Sequence, residues 1–157
     1  MKAEVMAASD FIVNLLRMNS PGSLSERELL RFRDTLALVM RNHYHNHWFP
    51  EKSFKGSGYR CIRINGQMDP LVATAGDSCG LDRVFLRSLF PSELTMWVDP
   101  REVSYRIGEN GSICVLLDER VVERPRADGC KDMVRPAYGG FGDQWSTSEP
   151  MSACAFS

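Results

Sequence analysis

Apolar residues near the start of the chain recur at helical steps. Val5, Ala8, Ile12, Leu15 and Leu16 fall three and four residues apart and would line one face of a helix from about Ala3 to Met18. Asn19-Ser20-Pro21-Gly22 ends it, because Pro21 disfavours helical backbone at the residue before it. A second helix has a fuller start signal. Ser25 and Glu28 have the S-x-x-E spacing of a capping box, and Leu24 and Leu29 flank the cap as a hydrophobic staple would. Its apolar stripe runs through Leu29, Phe32, Leu36, Val39 and Met40, then reaches His43, Tyr44 and His47 before Pro50 stops it. The short Pro-Gly connection predicts an antiparallel helix pair.

The period then shortens. After the flexible Lys55-Gly56-Ser57-Gly58, a strand is predicted from Tyr59 to Ile64, with Ile62 and Ile64 on one face and Tyr59, Cys61 and Arg63 on the other. Two short helices are predicted over 68–78 and 81–89, the first with Gly76 inside it. From Glu93 the pattern is a β meander. Leu94, Met96 and Val98 alternate with Thr95, Trp97 and Asp99; Val103, Tyr105 and Ile107 with Ser104 and Arg106; Ile113, Val115 and Leu117 with Cys114 and Leu116. Asn110-Gly111 between the last two strands is a hairpin signal, since both residue types tolerate positive φ. Beyond Asp118 the pattern dissolves into Gly, Ser, Pro and charge. The expectation is one folded domain over 1–117 and a disordered tail over 118–157. The fold class is α+β: an N-terminal antiparallel helix pair and short helices packed on a small, mainly antiparallel sheet.

Composition narrows the function class. A chain of 157 residues can bury a core without metals or disulfides, and its formal charge of −1 gives no general grip on nucleic acid. The five cysteines are odd in number, scattered and without a CxxC pair, as expected for free thiols in a reducing compartment. No apolar leader or membrane-length stretch is present, which predicts a soluble intracellular protein in cytoplasm or nucleus.

The candidate chemistry is sparse. His43 and His47 stand four apart on a helix, the spacing of paired zinc ligands, but no H-E-x-x-H glutamate and no third ligand accompany them, so packing is the favoured reading. Lys55-Gly56-Ser57-Gly58 is too short for a P-loop, and Ser57 lies outside any G-x-S-x-G elbow. No catalytic constellation is left and no cofactor is implied. Arg60, Arg63 and Arg106 could form a basic strip on the sheet, a pattern more often simply solvated. Alternation turns Trp97 away from the core face, beside Asp99 and Pro100. Two readings stay open there: an interface anchor, for which Trp is well suited, or a ring covered by a loop or the tail. Tyr59 is treated the same way, either sharing a patch with Trp97 or making a purely structural cross-strand contact.

Two stretches resemble a known family. The first runs from His43-Tyr44-His45-Asn46-His47-Trp48-Phe49-Pro50-Glu51-Lys52 through Lys55-Gly56-Ser57-Gly58-Tyr59-Arg60-Cys61-Ile62-Arg63-Ile64-Asn65 to Met68-Asp69-Pro70. It is similar to box A of the BTG/Tob anti-proliferative proteins. The second includes Leu89-Phe90-Pro91-Ser92-Glu93-Leu94-Thr95-Met96-Trp97-Val98-Asp99-Pro100 and Glu102-Val103-Ser104-Tyr105-Arg106-Ile107-Gly108-Glu109, and extends to Leu116. It is similar to box B, and the whole is nearest to the short BTG members. Box A then covers about 43–70 and box B about 89–116.

The resemblance implies a non-enzymatic adaptor that binds the DEDD-type nuclease subunit of the CCR–NOT deadenylase, promotes shortening of mRNA poly(A) tails and restrains proliferation. It also implies, as an alternative, a nuclear co-regulator that binds DNA-bound transcription factors. The family's deadenylase-contacting tyrosine carries over to Tyr59, and its box B tryptophan and aspartate to Trp97 and Asp99. Ser53-Phe54, Gly66-Gln67 and Arg101 depart from the usual pattern. Nothing between Glu119 and Ser157 resembles the C-terminal box or the poly(A)-binding-protein motifs of the family, so the resemblance does not extend to that partner. Neither direct nucleic-acid binding nor membrane binding is implied.

Overall fold

The computed structural model describes residues 1–119. Eight elements follow in order: α1 (Lys2–Asn19), α2 (Glu26–Tyr44), β1 (Ile62–Asn65), α3 (Pro70–Ser78), α4 (Arg83–Ser88), β2 (Glu93–Asp99), β3 (Glu102–Ile107) and β4 (Cys114–Asp118). The strands form one sheet in the order β1-β2-β3-β4, every neighbour antiparallel. The fold is therefore α+β as expected. Strand β4 carries the fold to Asp118, one residue past the predicted domain end at 117; the predicted tail from residue 120 on lies outside the described residues, as do Cys130 and Cys154. Among the described residues no helix is long and apolar enough to cross a membrane.

The helix pair forms for the reasons its sequence gives. Ser25 accepts from the Glu28 backbone N–H while the Glu28 carboxylate accepts from the Ser25 N–H, so both halves of the capping box are present. Leu29 is buried and Leu24 packs against the same core. From α1, Val5, Ala8, Ile12, Leu15 and Leu16 are buried, and from α2, Phe32, Leu36, Met40 and Tyr44 join them. α3 begins at Pro70 behind an Asp69 cap, whose side chain accepts from the Leu71 N–H. Gly76, awkward in a helix, has a packing reason: a Cβ there would lie 2.5 Å from Leu86 Cδ2 of α4.

One face of the sheet closes the core. Ile62, Met96, Tyr105 and Cys114 make one cross-strand row, Ile64, Leu94 and Ile107 the next, and Val98 and Val103 a third. All nine are buried, and the Phe11 ring of α1 meets the Tyr105 ring with centroids 4.1 Å apart.

Several sequence expectations are corrected. Helix α2 stops at Tyr44, so His47 belongs to the following turn and not to the helix. β1 starts at Ile62, which leaves Tyr59 and Arg60 in the turn before it. In β4 it is Cys114 that points inward, while Ile113 and Val115 are exposed; the pairing shifts register between Val103 and Ser104, so the simple alternation breaks there. The β3–β4 turn takes its positive φ at Gly108, not at Asn110-Gly111. Gly111 is still required there, since a Cβ would stand 2.0 Å from the Ile107 carbonyl oxygen.

Candidate docking site around a buried arginine

The segment between α2 and β1 carries the candidate Tyr59 and has no regular structure. One side chain organises it. Arg60 is completely buried, and each of its N–H donors has an acceptor. Nε donates to the Val98 carbonyl at 2.8 Å; Nη1 to the His47 and Lys55 carbonyls at 2.6 and 2.8 Å; Nη2 to the Ser53 carbonyl and Asp99 Oδ1, both at 2.7 Å. A guanidinium has five N–H donors in a fixed fork, so this site uses the whole inventory. Three of the acceptors belong to the loop and two to the end of β2. The Trp48 ring lies over the guanidinium with its centroid 5.4 Å away. Gly56 makes room, since it has φ +76° and a Cβ there would lie 3.1 Å from Nη1.

This arrangement corrects two expectations. Arg60 is not part of a basic strip on the sheet. Asp99 is not turned to solvent: it is 5% exposed, ion-paired with Arg60, and its Oδ2 accepts from the Ser57 hydroxyl at 3.0 Å. Alternation holds for Asp99, but the Ser57–Arg60 loop covers that end of the outer face. The side chain acts from beneath the surface.

Tyr59, one residue from the buried arginine, remains 44% exposed. Its ring stacks on His43 of α2 at 4.3 Å and on His47 at 3.7 Å, centroid to centroid. The two histidines thus present an aromatic face to Tyr59. No group of three or more His, Cys, Asp or Glu able to hold a metal occurs among the described residues. Beneath this stack, Tyr44 donates its hydroxyl to the Arg60 carbonyl at 2.9 Å, and burial pushes its phenol far above the ordinary range, so it stays a neutral donor.

Trp97 stands on the outer face of β2, opposite the buried Met96 and Val98, and is half-buried. Ser104, its cross-strand neighbour, is buried between Trp97 and Val115. Tyr59 stacks on the histidines and not on Trp97. The two rings are nevertheless fixed to one frame, because Ser57 and Arg60 on either side of Tyr59 both bond Asp99, two residues from Trp97. Cys61 precedes β1 beside this frame, and burial raises its thiol pKa, which keeps it protonated. Asp69 accepts from the Arg63 and Leu71 N–H groups, and burial raises its carboxyl above the usual aspartate value despite those bonds.

Arg60 is the residue that sequence reasoning misplaced. Its burial follows from long-range acceptors at Val98 and Asp99, which no local period reveals. The one hint was Gly56 and Gly58 in the loop just before it.

A model of the BTG family matches residues 1–117. The chain belongs to the BTG family. It is 53% identical over 122 residues to protein BTG2 of Rattus norvegicus, covering 78% of this chain and 76% of the relative. It is 56% identical over 118 residues to protein BTG1 of Homo sapiens, covering 75% and 68%. Protein Tob1 of Homo sapiens is 37% identical over 131 residues, which span 83% of this chain but 36% of Tob1. Among solved structures, the BTG/Tob domain of FOG-3 from C. elegans superposes with a TM-score of 0.63 at 20% identity, over 89% of this chain and 99% of that one. At that identity the likeness speaks for the fold. The residues matched by the family model include Tyr59, Arg60, Trp97 and Asp99.

Proposed function

We propose that this BTG-family chain is a non-enzymatic, anti-proliferative adaptor that docks the nuclease subunit of the CCR–NOT deadenylase on the Tyr59–Trp97 surface and so promotes poly(A) shortening. The observation that carries the reading is the Arg60 fork. It fixes a loop bearing an exposed aromatic ring to the strand bearing Trp97, so the surface is organised before any partner arrives. Pre-organisation lowers the ordering cost of binding, and half-exposed Trp and Tyr side chains are the residues from which hot spots are built. Asp99 contributes by holding the loop. An adaptor of this kind would work wherever mRNA decay and gene regulation meet, in cytoplasm and nucleus.

The test is a binding titration of purified nuclease subunit against the full chain and its Tyr59→Ala and Trp97→Ala variants, with circular dichroism on each. The expected result is binding by the parent and a loss of about 2 kcal/mol or more for folded Trp97→Ala. Absence of binding by the folded parent would overturn the reading.

A further inference from the structure

Beside Trp97, the outer face of the sheet carries a polar row. Arg63 of β1 is the register partner of Thr95 of β2, and Thr95 is the register partner of Arg106 of β3. Directly paired residues on one face have Cβ atoms about 5 Å apart, so two guanidinium-bearing side chains flank one hydroxyl. Thr95 and Trp97 share the face two residues apart, which along a strand is about 7 Å.

The row is unusual in its partners. Among the described residues neither Arg63 nor Arg106 is in an ion pair. Arg106 is half-buried, and its Nε is buried with no hydrogen-bond acceptor. A desolvated guanidinium donor without an acceptor is costly, and most such groups in folded proteins find one. The row lies in a shallow depression whose other lining residues include Asn65, Glu93 and Glu109. The two glutamates lie toward Gly108, at the end away from Trp97. An anion therefore meets attraction beside Thr95 and repulsion beyond it.

We propose that Arg63, Thr95 and Arg106 form a subsite that accepts one Asp or Glu side chain of the protein docked over Trp97. The inference rests on the docking reading of this face. A carboxylate has the planar, two-oxygen form that a guanidinium binds well, and it would supply the acceptor that Arg106 Nε lacks. A single acidic side chain placed over Thr95 would lie between the two arginines, one same-face strand position from Glu93. A nucleic-acid backbone would run its next phosphates into the Glu93 and Glu109 carboxylates. The subsite gives the surface a charge requirement that Tyr59 and Trp97 alone do not impose.

The experiment is isothermal titration of the full chain with purified nuclease subunit at low and moderate salt. The variants are Arg63→Gln, Arg106→Gln, Arg106→Lys, the Arg63→Gln/Arg106→Gln double variant and Trp97→Ala, each checked by circular dichroism. Each Arg→Gln change should weaken binding about tenfold and the double variant more, with a shallower salt dependence. Arg106→Lys keeps the charge but loses the fork, and should recover only part of the affinity. If Trp97→Ala loses binding while the folded double variant matches the parent in affinity and salt slope, the subsite is refuted and the docking reading stands. If the folded parent does not bind, both fall. A single-stranded poly(A) oligonucleotide serves as the competing probe: binding that the double variant abolishes would replace the acidic side chain with nucleic acid and overturn the proposal.

Discussion

Arg60 Nη2 and Asp99 Oδ1 lie 2.7 Å apart, with both side chains withdrawn from water. Removing one member of such a pair strands the other charge, at a cost of about 3–5 kcal/mol. Asp99→Ala and Arg60→Met should each lower the urea midpoint accordingly. Arg60→Lys should not rescue, because an ammonium has three donors for the five acceptors. Loss of partner binding in an Asp99 variant would then report collapse of the loop, not a lost contact. Equal urea midpoints for parent and Asp99→Ala would refute the structural role.

Tyr59 separates stacking from hydroxyl chemistry. Its Oη lies 3.5 Å from His43 Nδ1, too long between stacked rings for a useful hydrogen bond. Tyr59→Phe should therefore change unfolding free energy by no more than about 0.5 kcal/mol. Tyr59→Ala removes two ring contacts and should cost about 1 kcal/mol or more. If Tyr59→Phe keeps its stability but loses affinity for the nuclease subunit, the hydroxyl touches the partner. A Tyr59→Phe variant as unstable as Tyr59→Ala would show that the hydroxyl has a structural role after all.

Much of this fold was legible in the chain, and the misses share a cause. The capping box at Ser25, the alternation of β2 and the antiparallel meander are local patterns, and these the chain displays directly. Arg60 and Asp99 were misplaced because their environment is set by a loop that crosses from α2 to the end of β2, at a separation of 39 residues. Tyr59 was assigned to a strand because Ile62 and Ile64 alternate just after it, although Arg60 must turn inward to reach Val98. At Cys114 a register shift reversed the expected phase. The pairing of Arg63 with Arg106 across Thr95 needed the sheet register, which the sequence does not contain.

The glycines of the two loops should respond oppositely to alanine. At Gly111 a Cβ would collide with the Ile107 carbonyl oxygen at 2.0 Å, a backbone atom that moves only with the β3–β4 turn. At Gly58 a Cβ meets nothing within 4 Å, and its φ is not in the left-handed region. Gly111→Ala should cost about 2 kcal/mol or more, because the added methyl overpacks a site whose neighbour is backbone. Gly58→Ala should be neutral or stabilise by up to about 1 kcal/mol, through a less flexible unfolded chain. Thermal unfolding of the two variants checks this; equal midpoints would mean that the β3–β4 turn is not held as described.

The β2–β3 turn supplies a pH-dependent test. Arg101 has φ +68°, a left-handed conformation unusual for a side chain of its size, and its N–H donates to Glu4 Oε1 at 3.0 Å. Glu4 is buried at the start of α1, and its Oε2 lies 2.7 Å from the Met1 amino group. Burial alone would raise the Glu4 pKa, but the Met1 ammonium and the backbone N–H bonds outweigh it, and the carboxyl sits below the usual value of 4.5. A depressed carboxyl stabilises the fold fully above its unfolded pKa and loses that contribution as pH falls through its folded pKa. The parent should therefore lose stability from about pH 4.5 downward more steeply than Glu4→Gln. At neutral pH Glu4→Gln should be the less stable, by about 1–3 kcal/mol, the range for a hydrogen bond to a charged group. Urea titrations of both proteins at pH 7 and pH 3.5 make the comparison. Parallel losses on acidification would mean that Glu4 does not hold the Arg101 turn through its charge.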